Sequence, residues 1–158
     1  MSKKTMSMQA RAAKLVRAYL KEQGIKGSVT SAASAGTSSI DVTLMNATPA
    51  IADQVKEYSK QYQYGHFDGM TDSYEYSNTI DDLPQVRFVF VRTEFDDEMK
   101  QRALDVLADY FNLPAMTYKD IPYSVQICGE EENTYSAVRK VLTGSHYPHV
   151  PFWEEEAA

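Results

Sequence analysis

Apolar and polar positions alternate along this chain at two different spacings, and the switches between them mark out its elements. Over residues 10–23, Ala12, Leu15, Val16, Tyr19 and Leu20 recur at helical spacing. Arg11, Lys14, Arg17 and Lys21 gather on the opposite side, which predicts an amphipathic first helix with Gly24 as its stop. Residues 26–32 are small and rich in β-formers, and Ile40, Val42 and Leu44 alternate with Asp41 and Thr43. That period of two predicts a strand with one wet face, joined to its predecessor as a hairpin through the small polar residues 33–38. Thr48-Pro49 opens a second helix, with threonine as cap and proline in the first turn. Its buried stripe is Ile51, Val55, Tyr58 and Tyr62. Residues 86–91, Val-Arg-Phe-Val-Phe-Val, are apolar at both parities, which predicts a strand central in the sheet. Asp96 caps a third helix with Met99, Ala103, Val106, Leu107 and Tyr110 inward. Residues 123–128 read as a further strand, and 134–143 as a last helix with Tyr135, Val138 and Leu142 inward and Gly144 as its stop. These elements predict an α+β fold: a mostly antiparallel sheet of three or four strands, with the helices packed largely on one face.

The stretches between them complete the layout. Residues 1–9 are polar and read as a flexible N-terminus. Residues 63–84 form a Tyr- and Asp-rich segment too long for a simple connection. Residues 145–158 read as an aromatic and then acidic tail. A length of 158 residues with 43% apolar content suits a single domain with a sizeable core. No apolar run approaches the roughly 20 residues that cross a bilayer, so no membrane association is expected. Cys128 is the only cysteine, excluding an internal disulfide and fitting a cytoplasmic setting. It is expected to be a buried, inert thiol.

Charge changes the picture more than composition does. The chain carries a net −6, yet residues 1–26 hold seven Lys and Arg against Glu22 alone, a net +6 that leaves −12 for the rest. Arg11, Lys14, Arg17 and Lys21 are therefore candidate phosphate contacts, against the plainer reading of a solvated helix face. The acidic remainder, with Asp96, Asp97, Asp105, Asp109 and residues 130–132, is a candidate imitation of a phosphate backbone.

Candidate chemistry is sparse. His66 and Asp68 lie close in sequence and could act as general acid and base of a small hydrolase, but their spacing matches no mechanistic motif. A turn explains them as well. Asp68-Gly69 is a turn dipeptide, with Phe67 and Met70 as buried anchors, Gly69 at a positive φ and the Asp68 carboxylate bonded to backbone amides. His146 and His149 lack further ligands at a matching spacing. No catalytic residue, metal site or cofactor is assigned. The tyrosines suggest recognition instead: Tyr58, Tyr62, Tyr64, Tyr74 and Tyr76 crowd one region, and tyrosine serves binding surfaces because it is large, rigid and half polar. Tyr64, Phe67, Asp68, Tyr74 and Tyr76 join the basic helix as candidate binding residues.

One stretch carries a resemblance. A basic helix leads into the serine-containing hairpin with Ser39-Ile40-Asp41-Val42-Thr43-Leu44, then a helix over residues 50–62, then Phe67-Asp68-Gly69-Met70-Thr71-Asp72. This order resembles a large polyvalent-protein-associated domain of phages and conjugative elements, over about half of the chain. Residues 44–48 depart from it, lacking a Trp- and Gly-rich segment. The resemblance implies a protein that enters with, or is expressed early from, an invading element and acts on host nucleic-acid machinery or defence systems. It carries over no catalytic residue. The expectation is a non-enzymatic binding protein in the bacterial cytoplasm. Its partner is a host or element-encoded protein, with nucleic acid bound through the first helix as the alternative.

Overall fold

The computed structural model describes residues 5–145, 147 and 150–153, and they separate into two compact units, residues 1–94 and 95–158. Each unit has a hydrophobic cluster of its own. The architecture is α+β, and among the described residues three of the four paired strand sets are antiparallel.

The first unit begins with α1 (Met8–Glu22), capped by the Ser7 hydroxyl and closed by Gly24 at φ 68°. β1 (Gly27–Ser34) and β2 (Thr37–Met45) form the expected hairpin. Its two-residue turn places Ala35 at φ 50° and Gly36 at φ 78°, the left-handed pair that matches strand twist. α2 (Pro49–Ser59) is capped by Thr48 and runs into a 3-10 turn, Lys60–Tyr62. A small hairpin of β3 (His66–Asp68) and β4 (Ser73–Glu75) follows within the long polar segment. β5 (Phe88–Glu94) then returns to pair parallel with β2.

The sheet order is β1-β2-β5, so the central strand is β2 and β5 lies at an edge, contrary to the sequence expectation. The reason is visible in its side chains. Val89 and Val91 pack on the same core as Val29, Ile40, Val42 and Leu44, beneath Ala12, Val16 and Leu20 of α1 and Val55 of α2. Phe88 and Phe90 point to the other face and pack on each other with ring centroids 5.8 Å apart. Apolarity at both parities here reflects aromatic self-packing, not burial on two sides. Both helices of this unit therefore cover one face of the sheet.

The second unit contains α3 (Asp97–Tyr110), a 3-10 turn (Tyr118–Asp120), the hairpin of β6 (Ser124–Ile127) and β7 (Glu130–Asn133), and α4 (Thr134–Thr143). Asp96 caps α3 through Met99 N–H at 2.8 Å, and Gly144 ends α4 at φ 71°. Ala103, Leu104, Leu107, Ala137, Val138, Val141 and Leu142 form the core with Phe152. Tyr110 and Tyr135, expected inward, are exposed, because Leu104 and Ala108 of α3 and Ala137 and Val141 of α4 take the inward positions. Cys128, expected buried, is exposed at φ 54° in the β6–β7 turn. Trp153 Nε1–H donates to the Leu142 carbonyl at 2.8 Å, so part of the aromatic tail packs back on the unit. His146, Pro148, His149 and the terminal glutamates lie outside the described residues. Among the described residues no helix is long and apolar enough to cross a membrane.

Candidate functional site

The candidate binding residues fall into three separate settings. On α1, Arg11, Lys14 and Lys21 are exposed. Arg17 is committed elsewhere: its Nε and one terminal nitrogen donate to the Val29 carbonyl at 3.1 and 2.7 Å, tying α1 to β1. A side chain held this way is a structural clamp, and the basic row loses its third member.

The β3–β4 hairpin holds the second group. Phe67 is 52% and Met70 98% exposed, so neither is the buried anchor expected from the sequence. The turn is held by polar contacts instead. Asp68 Oδ1 accepts from Met70 N–H at 2.9 Å, and this bond, with further help from Thr71, pulls the Asp68 carboxyl below its ordinary pKa. The left-handed residue is Asp72, at φ 51°, and Gly69 stays outside the positive-φ region. Aspartate tolerates that conformation because its short side chain bonds locally. His66 lies against Ser77 Oγ at 2.9 Å and Glu75 at 3.4 Å, while Asp68 serves its own turn. Among the described residues no group of three His, Cys, Asp or Glu is placed to hold a metal ion.

The third group, Tyr64, Tyr74 and Tyr76, does converge, and it recruits residues that the sequence reading did not single out. Tyr64 and Tyr76 stack at 5.3 Å, and Tyr74 meets both edge-on. Tyr74 then meets Phe88 edge-on at 5.8 Å, and Phe88 stacks beside Phe90. The result is a continuous aromatic row from Tyr76 to Phe90. Gly65 makes it possible: a Cβ there would collide with the Glu75 carbonyl oxygen and the Tyr74 ring. Tyr74 O–H donates to the Arg87 carbonyl at 2.7 Å, and burial raises its phenol pKa. The Arg87 guanidinium lies over the Tyr74 and Phe88 rings, 4.8 and 5.5 Å from their centroids. Its Nε is buried with no hydrogen-bond partner, so its positive charge is offset by the two ring faces.

Both ends of the row are open, with Tyr76 69% and Phe90 51% exposed. Beside Phe90 lies a groove of about 920 Å³ along the outer edge of β5, where Val89 N–H donates to Gln63 Oε1 at 2.8 Å. Lys56 and Lys60 of α2 and Arg92 of β5 line it, with Asp41 as the one carboxylate. Register places Asp41 directly opposite Phe90 on β2, and Thr43 opposite Arg92. The signal for this surface was present in the sequence: aromatics occupy one parity of β5, valines the other, and arginines flank the run.

A family model described as large polyvalent protein associated domain 29 matches residues 7–103. The chain belongs to this family. The family match takes in the whole of the first unit from α1 onward, with both the hairpin and the aromatic row, and extends into α3. No curated protein and no solved structure matches the chain. Membership in this polyvalent-protein-associated family agrees with the resemblance read from residues 11–72 and is consistent with a protein associated with phages or other mobile elements.

Proposed function

We propose that this chain is a binding protein of a phage or plasmid, which acts in the host cytoplasm by occupying a partner's site and not by chemistry. The observation that carries the reading is the aromatic row of the first unit, open at Tyr76 and Phe90, on the sheet face that α1 and α2 leave bare. Large rings fixed by neighbours suit recognition, because little conformational freedom is lost when they are covered. Arginine held on their faces adds a cation in a defined place. Family membership supplies the mobile-element setting, and countering a host defence is the role that such occupancy would serve.

The test is recovery of the tagged chain from host cells after mild crosslinking, in parallel with Tyr76→Ala and Phe90→Ala. Both positions are exposed, so both variants should fold. The expected result is a stoichiometric partner, protein or nucleic acid, retained by the parent chain and lost from the two variants. Recovery of no such partner, or its retention by both variants, would overturn the reading.

A further inference from the structure

We infer that the ligand of this aromatic surface is single-stranded nucleic acid, a deepening that rests on the binding function proposed above. Two features coincide on β5 and its surroundings. Phe88 and Phe90 stand side by side on one face of the strand, 17° from parallel, with half of Phe90 exposed to solvent. Such a pair offers π-surface at the spacing of alternate residues along a strand, which suits the stacking of unpaired bases. The groove beside it is lined by Lys56, Lys60 and Arg92. These three cations face the single carboxylate of Asp41, which gives the groove a positive balance suited to a phosphate chain.

The charge of the whole chain does not explain this. The first unit holds 11 Lys and Arg against 10 Asp and Glu, and the second holds 5 against 12. The molecule is acidic, yet cations collect where the rings are. Lys60 pairs with Glu57 at 2.7 Å, but both side chains are well exposed, and an exposed pair of this kind exchanges readily for a phosphate. Asp41, opposite Phe90, disfavours a phosphate over the middle of the sheet. The backbone of a bound strand therefore runs on the Lys56–Lys60 side, with its bases turned toward Phe90. A duplex hides its base faces within its own stack and offers nothing for Phe90 to cover. An α-helix or loop of a protein partner would gain little from three cations around a groove unless it were acidic.

Fluorescence anisotropy with labelled 12-nucleotide single-stranded DNA and RNA, and with duplex DNA of the same sequence, tests this on the full chain. Single strands should bind, and duplex at least tenfold more weakly. Phe90→Ala should weaken single-strand binding about five- to hundredfold, the usual cost of losing one base–aromatic stack. Phe90→Tyr should restore it, whereas Phe90→Leu should not. Neutralising Lys56 and Lys60 to Gln should lower affinity and flatten its salt dependence, which for about three phosphates on a single strand has a log–log slope near −2. Equal binding of duplex and single strand, or affinity unchanged in Phe90→Ala, would overturn the inference. Absence of any oligonucleotide binding, with a protein captured from the host and lost in Phe90→Ala, would sink the nucleic-acid ligand and leave the binding function standing. Absence of both would sink both.

Discussion

Single residues separate the structural polar groups from those free to bind. Arg17 sits among the basic residues of α1, but its two hydrogen bonds to the Val29 carbonyl hold the helix to the hairpin. Arg17→Ala should therefore destabilise the first unit by about 1.5–3 kcal/mol, the scale of hydrogen bonds with a charged partner, as read by urea denaturation. The neighbouring Lys14→Ala, on an exposed side chain, should shift stability by no more than about 0.5 kcal/mol. Residues 67–70 were legible in the sequence only in part. The Asp68 carboxylate does bond to a turn amide, because that is local chemistry encoded within four residues. The exposure of Phe67 and Met70 was not legible, since burial depends on what the rest of the chain brings near. Phe67→Ala should accordingly leave thermal stability within about 0.5 kcal/mol of the parent chain. The depressed pKa of Asp68 fixes the sign of a pH effect. Its contribution is complete above the unfolded carboxyl pKa and is lost as pH falls through the lower, folded value. Amide exchange at Met70, corrected for the intrinsic rate, should show protection at neutral pH that disappears in acid.

Element boundaries depend on a few neighbouring residues, whereas a strand's place in the sheet depends on distant ones. The caps at Thr48 and Asp96, the stops at Gly24 and Gly144, and the alternation through Ile40, Val42 and Leu44 all stand in the structure, because each is set by its own few neighbours. The placement of β5 at an edge was not legible, since Phe88 and Phe90 look equally apolar whether a second layer or another ring covers them. Residues 130–133 carry no strand signal, because Glu-Glu-Glu-Asn has no apolar parity; β7 forms through its turn and its pairing with β6. Turn chemistry supplies a prediction here. Ala35 holds φ 50° without the local hydrogen bonding that asparagine can offer in that conformation. Ala35→Asn, giving the favoured Asn-Gly turn, should raise stability by roughly 0.5–1 kcal/mol in a thermal melt. Gly65→Ala should do the opposite, through collision with the Glu75 carbonyl and the Tyr74 ring. Loss of the Tyr74–Phe88 contact, read from aromatic NMR shifts, would show that the hairpin and β5 share one packed surface.

At the scale of the whole molecule, the two units differ in charge and are each provided with a core. Residues 1–94 carry a net +1 and the remainder −7. The sequence located the basic end of this division at α1, yet could not show that cations also assemble beside β5, because Lys56 and Lys60 are more than 25 residues from Arg92 along the chain. A fragment of residues 1–96 contains every member of the first hydrophobic cluster. It should unfold cooperatively on its own, as circular dichroism would register; a non-cooperative melt would show that the second unit is needed to complete it. β2 pairs with β5 across 49 residues of sequence, as between Ser39 and Phe88. During translation at roughly 5–20 residues per second, one side of β2 therefore stays unpaired for several seconds after the hairpin has emerged from the ribosome. Throughout that interval Ile40, Val42 and Leu44 flank a bare strand edge, the arrangement most prone to joining another nascent chain. Ribosome stalling between Met45 and Phe88 should then yield aggregates or chaperone-bound chains, and release of the stall past Glu94 should yield soluble protein.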